Sequence, residues 1–417
     1  MLNTSHLDLA IIGSGPAGLA AAVKVKQEGI KDMVVFERDE RPGGILQQCI
    51  HSGFGLWKFE EELTGPEYAN RYIKMAEAAN VDIELSTMVL EMDRDRTLTT
   101  VSERKGLRKY RCKSIILAMG CRERTRGAIG IPGTRPAGIF TAGQAQRLIN
   151  IEGYMPGEKA VILGSGDIGL IMARRLTLEG AKVEAVAEIL PYTSGLIRNV
   201  VQCLYDFDIP LLLNHTVAEI HGDMRVEGVT LVRVDSELNP VQGTEQFVEC
   251  DTLLLSVGLI PENELSKMAG ITIDRRTGGP FVNEFLETNL AGIFSCGNVL
   301  HVNDVVDNVS SEGEIAARGA FSQITGKIPQ RKKMIFLEGD ASIGQIVPHA
   351  ISGDQATTLC VRVKKPMKKM KLRIGDLFER KYPFARPSEM IYVRIPKEAF
   401  SGMSPRKRSV AIRCEEQ

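Results

Sequence analysis

Two stretches decide the fold: Gly13-Ser14-Gly15-Pro16-Ala17-Gly18 near the N-terminus and Gly164-Ser165-Gly166-Asp167-Ile168-Gly169 further along the chain. Each follows a short apolar run that predicts a buried parallel strand, Leu7–Ile12 for the first and Ala160–Leu163 for the second. Each also opens a helical pattern that ends at a glycine. Strand, glycine loop and helix in this order begin a dinucleotide-binding βαβ unit. The sequence therefore predicts two such units in one chain.

An acidic residue follows each glycine loop at the same distance. Glu37 lies 24 residues after Gly13, and Glu188 lies 24 residues after Gly164. This is near the spacing of a carboxylate that accepts a hydrogen bond from a ribose 2′-hydroxyl. A carboxylate repels a 2′-phosphate, and no arginine directly follows Glu188. We therefore expect the second loop to bind NAD(H) in preference to NADP(H).

The composition is that of a globular protein with two or three domains: 417 residues, 43% hydrophobic and 25% charged. No apolar run is long enough for a transmembrane segment, and the chain enters its first strand within a few residues, so a cytoplasmic location is expected. The eight cysteines form no CxxC pair and no zinc-binding spacing. We therefore predict reduced thiols and no metal site.

The charge is unevenly distributed along the chain. Residues 331–417 contain 19 Lys and Arg but nine Asp and Glu, whereas the remainder contains 33 basic and 43 acidic residues. This basic segment is either a solvated surface or an interface for an acidic partner protein or an anionic surface. The run Lys364–Lys371 is predicted to be a solvated hairpin tip. No aromatic platform accompanies the charge, so nucleic-acid binding is not expected.

The order of these patterns predicts the domain organisation. We expect an α/β fold with two Rossmann-like three-layer dinucleotide-binding domains, the second inserted in the first, and a small mainly β C-terminal domain. Residues 1–120 and 259–330 form the first domain in this interpretation, and residues 153–258 form the second. Residues 331–417 form the small basic domain, because short β-like segments alternate there with Pro and Lys or Arg.

Four motifs in this order resemble one protein family. The two glycine loops, the turn Ala118-Met119-Gly120 and the segment Gly292–Asn298 resemble the pyridine-nucleotide-dependent flavoprotein superfamily with two dinucleotide-binding domains, which includes thioredoxin reductase and glutathione reductase. The resemblance covers about residues 5–326. It implies FAD on the first loop and NAD(P)H on the second. Asn298 departs from the Asp that is usual in the family, and it adds no charge near the pyrophosphate.

The resemblance also implies which residues bind the two cofactors. The predicted FAD-binding residues are Gly13, Ser14, Gly15, Pro16, Ala17, Gly18, Glu37, Arg38, Gly44, Val89, Ala118, Gly120, Gly297 and Asn298. The predicted NAD-binding residues are Gly164, Gly166, Asp167, Ile168, Gly169, Glu188 and Gly258.

Two further segments narrow the resemblance. Gly43–Gly55 and Leu63–Ala69, together with the basic C-terminal part, resemble the NAD/FAD-binding subunits that accompany a glycerol-3-phosphate dehydrogenase. These subunits are related to the flavoprotein subunits of opine, hydroxyproline and cyanide-forming dehydrogenases. The resemblance implies a partner dehydrogenase subunit that oxidises the substrate. It also allows a small redox subunit, and peripheral association with a membrane through the complex.

The cysteines limit the chemistry. A disulfide reductase needs a dithiol near the flavin, and Cys49 alone lies where glutathione-reductase-like enzymes place two cysteines. Cys49 and His51 are therefore the candidate catalytic residues: a thiol that pairs with FAD or cycles through a sulfenic acid, and a proton shuttle. The alternative is a buried cysteine and a satisfied histidine that line the site. His301 is a further proton-relay candidate. Trp57 is expected in the core, with packing at the edge of the flavin as the alternative.

Three functions remain open at this point. The first is an FAD-containing, NAD(H)-linked electron-transfer subunit that couples a partner dehydrogenase, for glycerol 3-phosphate, to NAD⁺ or another acceptor. The second is a stand-alone NADH oxidase or peroxidase that works through FAD and Cys49. The third is a flavin-binding scaffold subunit whose NAD site is vestigial. In the first two, hydride passes between nicotinamide and flavin.

Overall fold

The computed structural model describes residues 4–327, 334–400 and 408–416. The chain forms two units: Met1–Cys121 with Pro261–Gln417, and Arg122–Ile260. Both contain parallel sheets covered by helices, and the predicted α/β fold with Rossmann-like sheets is confirmed. No helix in these described ranges is long and apolar enough to cross a membrane.

The N-terminal part of the first unit contains the first glycine loop. Its elements are β1 (Thr4–Ile12), α1 (Pro16–Gln27), β2 (Met33–Phe36), β3 (Ser52–Phe54), β4 (Leu63–Thr64), α2 (Gly65–Ala78), β5 (Asp82–Glu84), β6 (Thr87–Met92), β7 (Thr97–Ser102) and β8 (Gly106–Leu117). β1 lies between β2 and β8 and is parallel to both. Because β1 is central, its last four residues are buried, and the loop that follows it lies at the carboxyl end of the sheet.

The second unit repeats this arrangement. Its elements are β9 (Cys121–Glu123), α3 (Arg126–Ile129), β10 (Ile139–Thr141), α4 (Ala142–Arg147), β11 (Lys159–Leu163), α5 (Asp167–Leu178), β12 (Lys182–Glu188), α6 (Ile197–Cys203), β13 (Leu211–Leu213), β14 (His215–His221), β15 (Gly228–Arg233), β16 (Gln246–Glu249), β17 (Thr252–Leu255) and β18 (Leu259–Pro261). A parallel sheet has the order β10-β17-β11-β12-β13, and β14, β15 and β16 form an antiparallel sheet. The second glycine loop follows the central strand β11.

The C-terminal part returns to the first unit. Its elements are α7 (Glu264–Met268), β19 (Ile293–Ser295), α8 (Val306–Ile324), β20 (Ile335–Gly339), β21 (Ile343–Val347), β22 (Ala350–Ile351), β23 (Thr357–Val363), β24 (Met367–Ile374), β25 (Phe378–Ala385), β26 (Ile391–Ile395) and β27 (Ser409–Glu416). β19 pairs with β8 and extends the first sheet to seven strands. Strands β20–β27 form two sheets around their own hydrophobic cluster. The assignment of residues 331–417 as a separate domain stays a prediction.

Two sequence-based expectations are wrong. Lys364–Lys371 is not a hairpin tip, because β24 begins at Met367 and pairs with β25 on one side and β27 on the other. In β24 the buried Met370 alternates with lysines, which is the pattern of a strand that has one face on a hydrophobic core. Trp57 is not in the core either, since it is 68% exposed.

Candidate functional site

The first glycine loop lies against the backbone that directly follows β8. A Cβ atom at Gly13, whose φ is 99°, would lie 2.5 Å from the carbonyl oxygen of Ala118. A Cβ at Gly18 would lie 1.9 Å from the carbonyl oxygen of Gly13. At Gly15, in contrast, nothing lies within 4 Å of the Cβ position, so the loop faces open space there. The outer two glycines allow the tight packing, and the middle one leaves room for a phosphate.

The start of α1 has free backbone donors for an anion. Gly15 is the N-cap residue and Pro16 the first helical residue, and no side chain caps this end of the helix. The first N–H groups of a helix have no partner within it, and the helix dipole places positive charge there. Such a helix start suits a pyrophosphate, and Ala17 and Gly18 stay predicted binding residues.

Glu37 holds the loop from the next strand. Its Oε2 atom accepts hydrogen bonds from the Ser14 amide at 2.7 Å and from Ser14 Oγ at 2.6 Å. Its Oε1 atom accepts from the Asp39 amide at 2.9 Å, and the side chain is 5% exposed. The carboxylate thus orients the loop from inside the protein. Oε2 already accepts two hydrogen bonds, so Oε1, which accepts one, has the remaining lone pair for a ribose hydroxyl.

The other predicted FAD residues lie at different distances from this loop. The Cβ position of Gly44 is 3.0 Å from Gly15 Cα, so Gly44 lies against the loop. Val89 is buried in β6, in the same hydrophobic cluster as Phe36. Arg38 is exposed next to Glu37, and the structure gives its side chain no contact with the loop within the described residues.

The end of β19 also lies against the first loop. Gly297 has a φ of 73°, and a Cβ atom there would lie 2.9 Å from the Cβ of Ala17. Gly120, at the end of β8, also has a φ of 73° and faces open space. The side chain of Asn298 contacts protein at both ends: Oδ1 accepts from the Asn303 amide at 3.0 Å, and Nδ2 lies 3.7 Å from Cys121 Sγ. The amide therefore orders the turn after Gly297.

A buried acid beneath this turn was missed by sequence reasoning. Glu312, on the buried face of α8, accepts a 2.7 Å hydrogen bond from the Gly297 amide, and its other oxygen lies 2.6 Å from His301 Nε2. Gln345 Nε2 lies 3.3 Å from His301 Nδ1. If this amide donates, Nδ1 is the acceptor and Nε2 carries the proton, which makes His301 a neutral donor to Glu312. His301 thus has two side-chain partners and is 0% exposed.

A third ligand-type atom lies beside this pair. The Cys360 thiol, the His301 imidazole and the Glu312 carboxylate lie within 4.8 Å of one another, and all three residues are buried. Burial raises the pKa of the Cys360 thiol well above its usual range, with the charge of Glu312 as the next cause. The thiol is therefore neutral at physiological pH, which is not the form that binds metal ions.

Cys49 and His51 also contact protein. Cys49 Sγ lies 3.3 Å from the carbonyl oxygen of Ile45, and burial raises the pKa of this thiol to about 12. His51 Nδ1 lies 3.1 Å from the Ser52 carbonyl oxygen, and its ring centroid is 4.9 Å from that of Phe54. A neutral thiol is a poor nucleophile, so these contacts favour the packing interpretation. The catalytic assignment of both residues stays a prediction.

The second glycine loop has the geometry of the first. A Cβ atom at Gly164 would lie 2.1 Å from the carbonyl oxygen of Ser256, and the Gly169 amide donates to Ser256 Oγ at 3.1 Å. The Ser165 amide and Oγ donate to Glu188 Oε2 at 3.0 and 2.5 Å. The serine–glutamate contact of the first unit therefore recurs in the second, from the same two serine atoms to the same glutamate oxygen.

Serine and backbone donors complete the environment of Glu188. Its Oε2 atom also accepts from Ser194 Oγ at 3.0 Å, and Oε1 accepts from the Leu190 amide at 3.0 Å. Asp167, at the start of α5, accepts from the Leu196 amide at 2.8 Å and so holds the following loop against the helix. Gly166 is the N-cap residue of α5, again without a side-chain cap.

Two predicted NAD residues remain. Ile168 lies in the first turn of α5 and is partly buried. Gly258 follows β17 with a φ of 102°, and its carbonyl oxygen accepts from the Arg124 amide at 3.0 Å. Ser194 and Ser256 were missed by sequence reasoning, because neither belongs to a local motif.

Two curated proteins are similar in sequence to this chain. The chain is 26% identical over 313 residues to an opine oxidase subunit of Agrobacterium tumefaciens, and the match covers 70% of this chain and 61% of that protein. It is 28% identical over 292 residues to the hydrogen cyanide synthase subunit HcnB of Pseudomonas aeruginosa, and this match covers 64% of this chain and 60% of that protein. The matched segment thus spans about three fifths of the length of these two curated relatives.

A solved structure and a family model also match the chain. The structure of thioredoxin reductase from T. acidophilum matches with a TM-score of 0.64 and 23% identity, and the match covers 76% of this chain and 98% of that one. This likeness shows the fold. The family model described as pyridine nucleotide-disulphide oxidoreductase matches residues 7–318. The chain therefore belongs to the pyridine nucleotide-disulphide oxidoreductase family, whose members are oxidoreductases that bind FAD and NAD(P)H.

Proposed function

We propose that the chain is an FAD-containing, NAD(H)-linked electron-transfer subunit of a multi-subunit dehydrogenase. The observation that carries the proposal is the duplicated loop: Ser14 held by Glu37 in one unit and Ser165 held by Glu188 in the other. Each loop ends at a helix start that has no side-chain cap. When bound, a nicotinamide and a flavin can exchange a hydride in either direction, so a chain with two such loops would hold both ends of that transfer.

The residues of the chain bind and orient the two cofactors in this proposal. The helix starts receive the pyrophosphates, and Glu37 and Glu188 fix the loops and accept from ribose hydroxyls. Glu312 holds the Gly297 turn at the flavin side through the backbone amide. No acid or base is required for hydride transfer itself, which agrees with the protein contacts already made by Cys49 and His51.

The preference for NAD(H) is part of the proposal. Glu188 is 3% exposed and receives hydrogen bonds from Ser165, Ser194 and the Leu190 amide. These neutral donors are consistent with an ionised carboxylate, whose charge opposes a 2′-phosphate.

We infer that the chain does not reduce disulfides. No two of the eight cysteines form a CxxC pair, which is the dithiol that thioredoxin-reductase-like enzymes use. The raised pKa of Cys49 also counts against the stand-alone oxidase or peroxidase, because such a cycle begins with a thiolate. The intact Gly164, Gly166, Gly169 and Glu188 set counts against a vestigial NAD site.

The subunit role rests on the relatives and on the charge distribution. Both curated relatives are named as subunits, and the excess of basic residues in the sequence of 331–417 suits an acidic partner. Glycerol 3-phosphate as the substrate of that partner rests on the resemblance of Gly43–Gly55 and Leu63–Ala69 alone.

Purification from the native cell tests this proposal. A tagged chain should purify with FAD and with a second protein chain, and the complex should oxidise glycerol 3-phosphate when NAD⁺ or a dye accepts the electrons. The NADH oxidase activity of the isolated chain should be low. A chain that purifies alone and oxidises NADH rapidly with oxygen would overturn the subunit proposal.

A further inference from the structure

A cavity in the second unit is not used by the proposed function. It has a volume of about 430 Å³, and Thr141 and Leu255, the last residues of β10 and β17, line it. The carboxyl ends of parallel strands are where α/β sheets bind ligands. The lining contains Arg126 and Arg135, and among the described residues it contains no Asp or Glu. The described lining of the cavity therefore carries two positively charged side chains and no negatively charged one.

Arg126 is held in place by the loop that follows it. Its Nε and Nη2 atoms donate to the Ile131 carbonyl oxygen at 3.2 and 3.0 Å, and Nη2 also donates to the Gly133 carbonyl oxygen at 2.8 Å. Nη1 donates to the Thr134 carbonyl oxygen. These partners are neutral, so they position the guanidinium without cancelling its charge.

Arg135 adds a second positive charge to the same cavity. It is exposed, and the described lining that it shares with Arg126 contains no carboxylate. The pKa of Arg126 is lowered by burial and then by the charge of Arg135. Both causes destabilise the charged guanidinium, and a bound anion would offset the repulsion between Arg126 and Arg135.

The rest of the lining suits a small organic molecule. Ile139, Phe140 and Leu255 provide an apolar surface, and Thr125 and Gln144 provide neutral polar groups. The residues of the second glycine loop do not line the cavity. A ligand here therefore does not need the donors at the start of α5 that we assign to the pyrophosphate of NAD(H).

We propose that this cavity binds a small metabolite through a phosphate or carboxylate group, at a site separate from the dinucleotide. Arg126 is the fixed contact, through its charge and through the one Nη1 N–H that its four backbone hydrogen bonds leave over. Arg135 is the second contact, which reaches the anion from the exposed side. The site goes beyond the proposed electron transfer, since neither cofactor requires it. A substrate or an effector of the NAD-binding unit would share this chemistry.

Calorimetric titration of the purified chain tests the site. Inorganic phosphate and, separately, acetate are titrated at constant ionic strength set with chloride, with and without saturating NADH. We expect saturable binding of at least one anion, with an affinity that NADH leaves within about twofold. Arg135→Gln should weaken that binding about tenfold or more, because it removes a charge-assisted contact. Arg135→Lys, which keeps the charge, should lose less.

A matched control separates this effect from a general loss of positive charge. Arg233, on β15 of the same unit, is exposed and does not line the cavity, so Arg233→Gln should bind phosphate and acetate as the wild type does. The proposal is overturned if neither anion binds saturably, or if Arg135→Gln and Arg233→Gln have equal affinity. Displacement of the anion by NADH would also overturn it, because the arginines would then belong to the dinucleotide site. FAD reduction by NADH, measured on the same samples, reports separately on the proposed function.

Discussion

Both the amide and the hydroxyl of Ser14 donate to one oxygen of Glu37, at 2.7 and 2.6 Å. Ser14 is 0% exposed, so neither donor can turn to water if the carboxylate is removed. An unpaired buried donor costs about 1–3 kcal/mol. The Ser14–Glu37 contact is therefore the part of the first loop that mutation disturbs most directly.

Glu37→Ala should weaken FAD binding about tenfold or more, because the loop loses its inner support and the ribose loses an acceptor. Fluorescence titration of the apoprotein with FAD measures this. Asp39→Ala is the control, since it keeps the backbone amide that donates to Glu37 and removes only an exposed carboxylate. An FAD affinity of Glu37→Ala equal to that of the control would show that the loop needs no such support.

The wild-type chain should reduce its flavin faster with NADH than with NADPH, because the charge of Glu188 opposes a 2′-phosphate. Glu188→Gln keeps the shape of the side chain and removes the charge. We expect it to lower the ratio of the NADH rate to the NADPH rate by about tenfold. This factor corresponds to the loss of a like-charge repulsion of about 1.4 kcal/mol. Single-turnover rates with each nucleotide give this ratio. A clear NADPH preference of the wild type would contradict the assignment.

Cys49→Ser should leave the rate of flavin reduction by NADH within severalfold of the wild type. Burial raises the pKa of Cys49 to about 12, so the thiol is neutral throughout the working pH range and cannot act as a thiolate. Alkylation of Cys49 by iodoacetamide should accordingly be slow between about pH 7 and pH 9 in the folded protein. A loss of orders of magnitude in Cys49→Ser, with FAD still bound, would prove the thiol catalytic.

Asp274 should make the stability of the first unit depend on pH. Burial raises its pKa, but the His349 imidazole and the Thr277 and Arg276 amides outweigh this and lower the pKa to about 2. The unfolded carboxyl binds its proton near 3.8, so the stabilisation is complete above that pH and is lost as pH falls towards 2. Discounted for partial exposure, the contribution is about 1–2 kcal/mol.

Asp274→Asn removes this contribution. Its free energy of unfolding should lie below that of the wild type near neutral pH, and the difference should shrink between about pH 4 and pH 2. Denaturant titrations across this range measure both proteins. Asp354→Asn is the control, because Asp354 is exposed. A difference that grows as the pH falls would contradict the sign derived for Asp274.

The parts of the site that were predictable from the sequence are local. Gly13 and Gly164 lie in a backbone geometry that a short sequence encodes, and Glu37 and Glu188 follow at a spacing set by one helix and one strand. Because these constraints act between residues within about thirty positions of one another, they can be recognised in a single sequence.

The parts that were not predictable belong to no sequence motif. Glu312 reaches the Gly297 turn from α8, 15 residues further along the chain, and Ser256 supports Gly169 across 87 residues. Neither has a local signature beyond an acid or a serine in an apolar stretch. Trp57 was wrongly placed in the core because large aromatic side chains are usually buried, and here it is exposed.

The central claim is that one chain carries electrons between a nicotinamide and a flavin. Anaerobic mixing of the purified FAD-loaded chain with NADH in a stopped-flow spectrophotometer tests it most directly. We expect the absorbance of oxidised flavin to disappear in a single turnover, with one NADH consumed per FAD, and Glu188→Gln to slow this at low NADH concentration. A flavin that binds tightly and stays oxidised in excess NADH would show that the chain does not transfer hydride between the two cofactors.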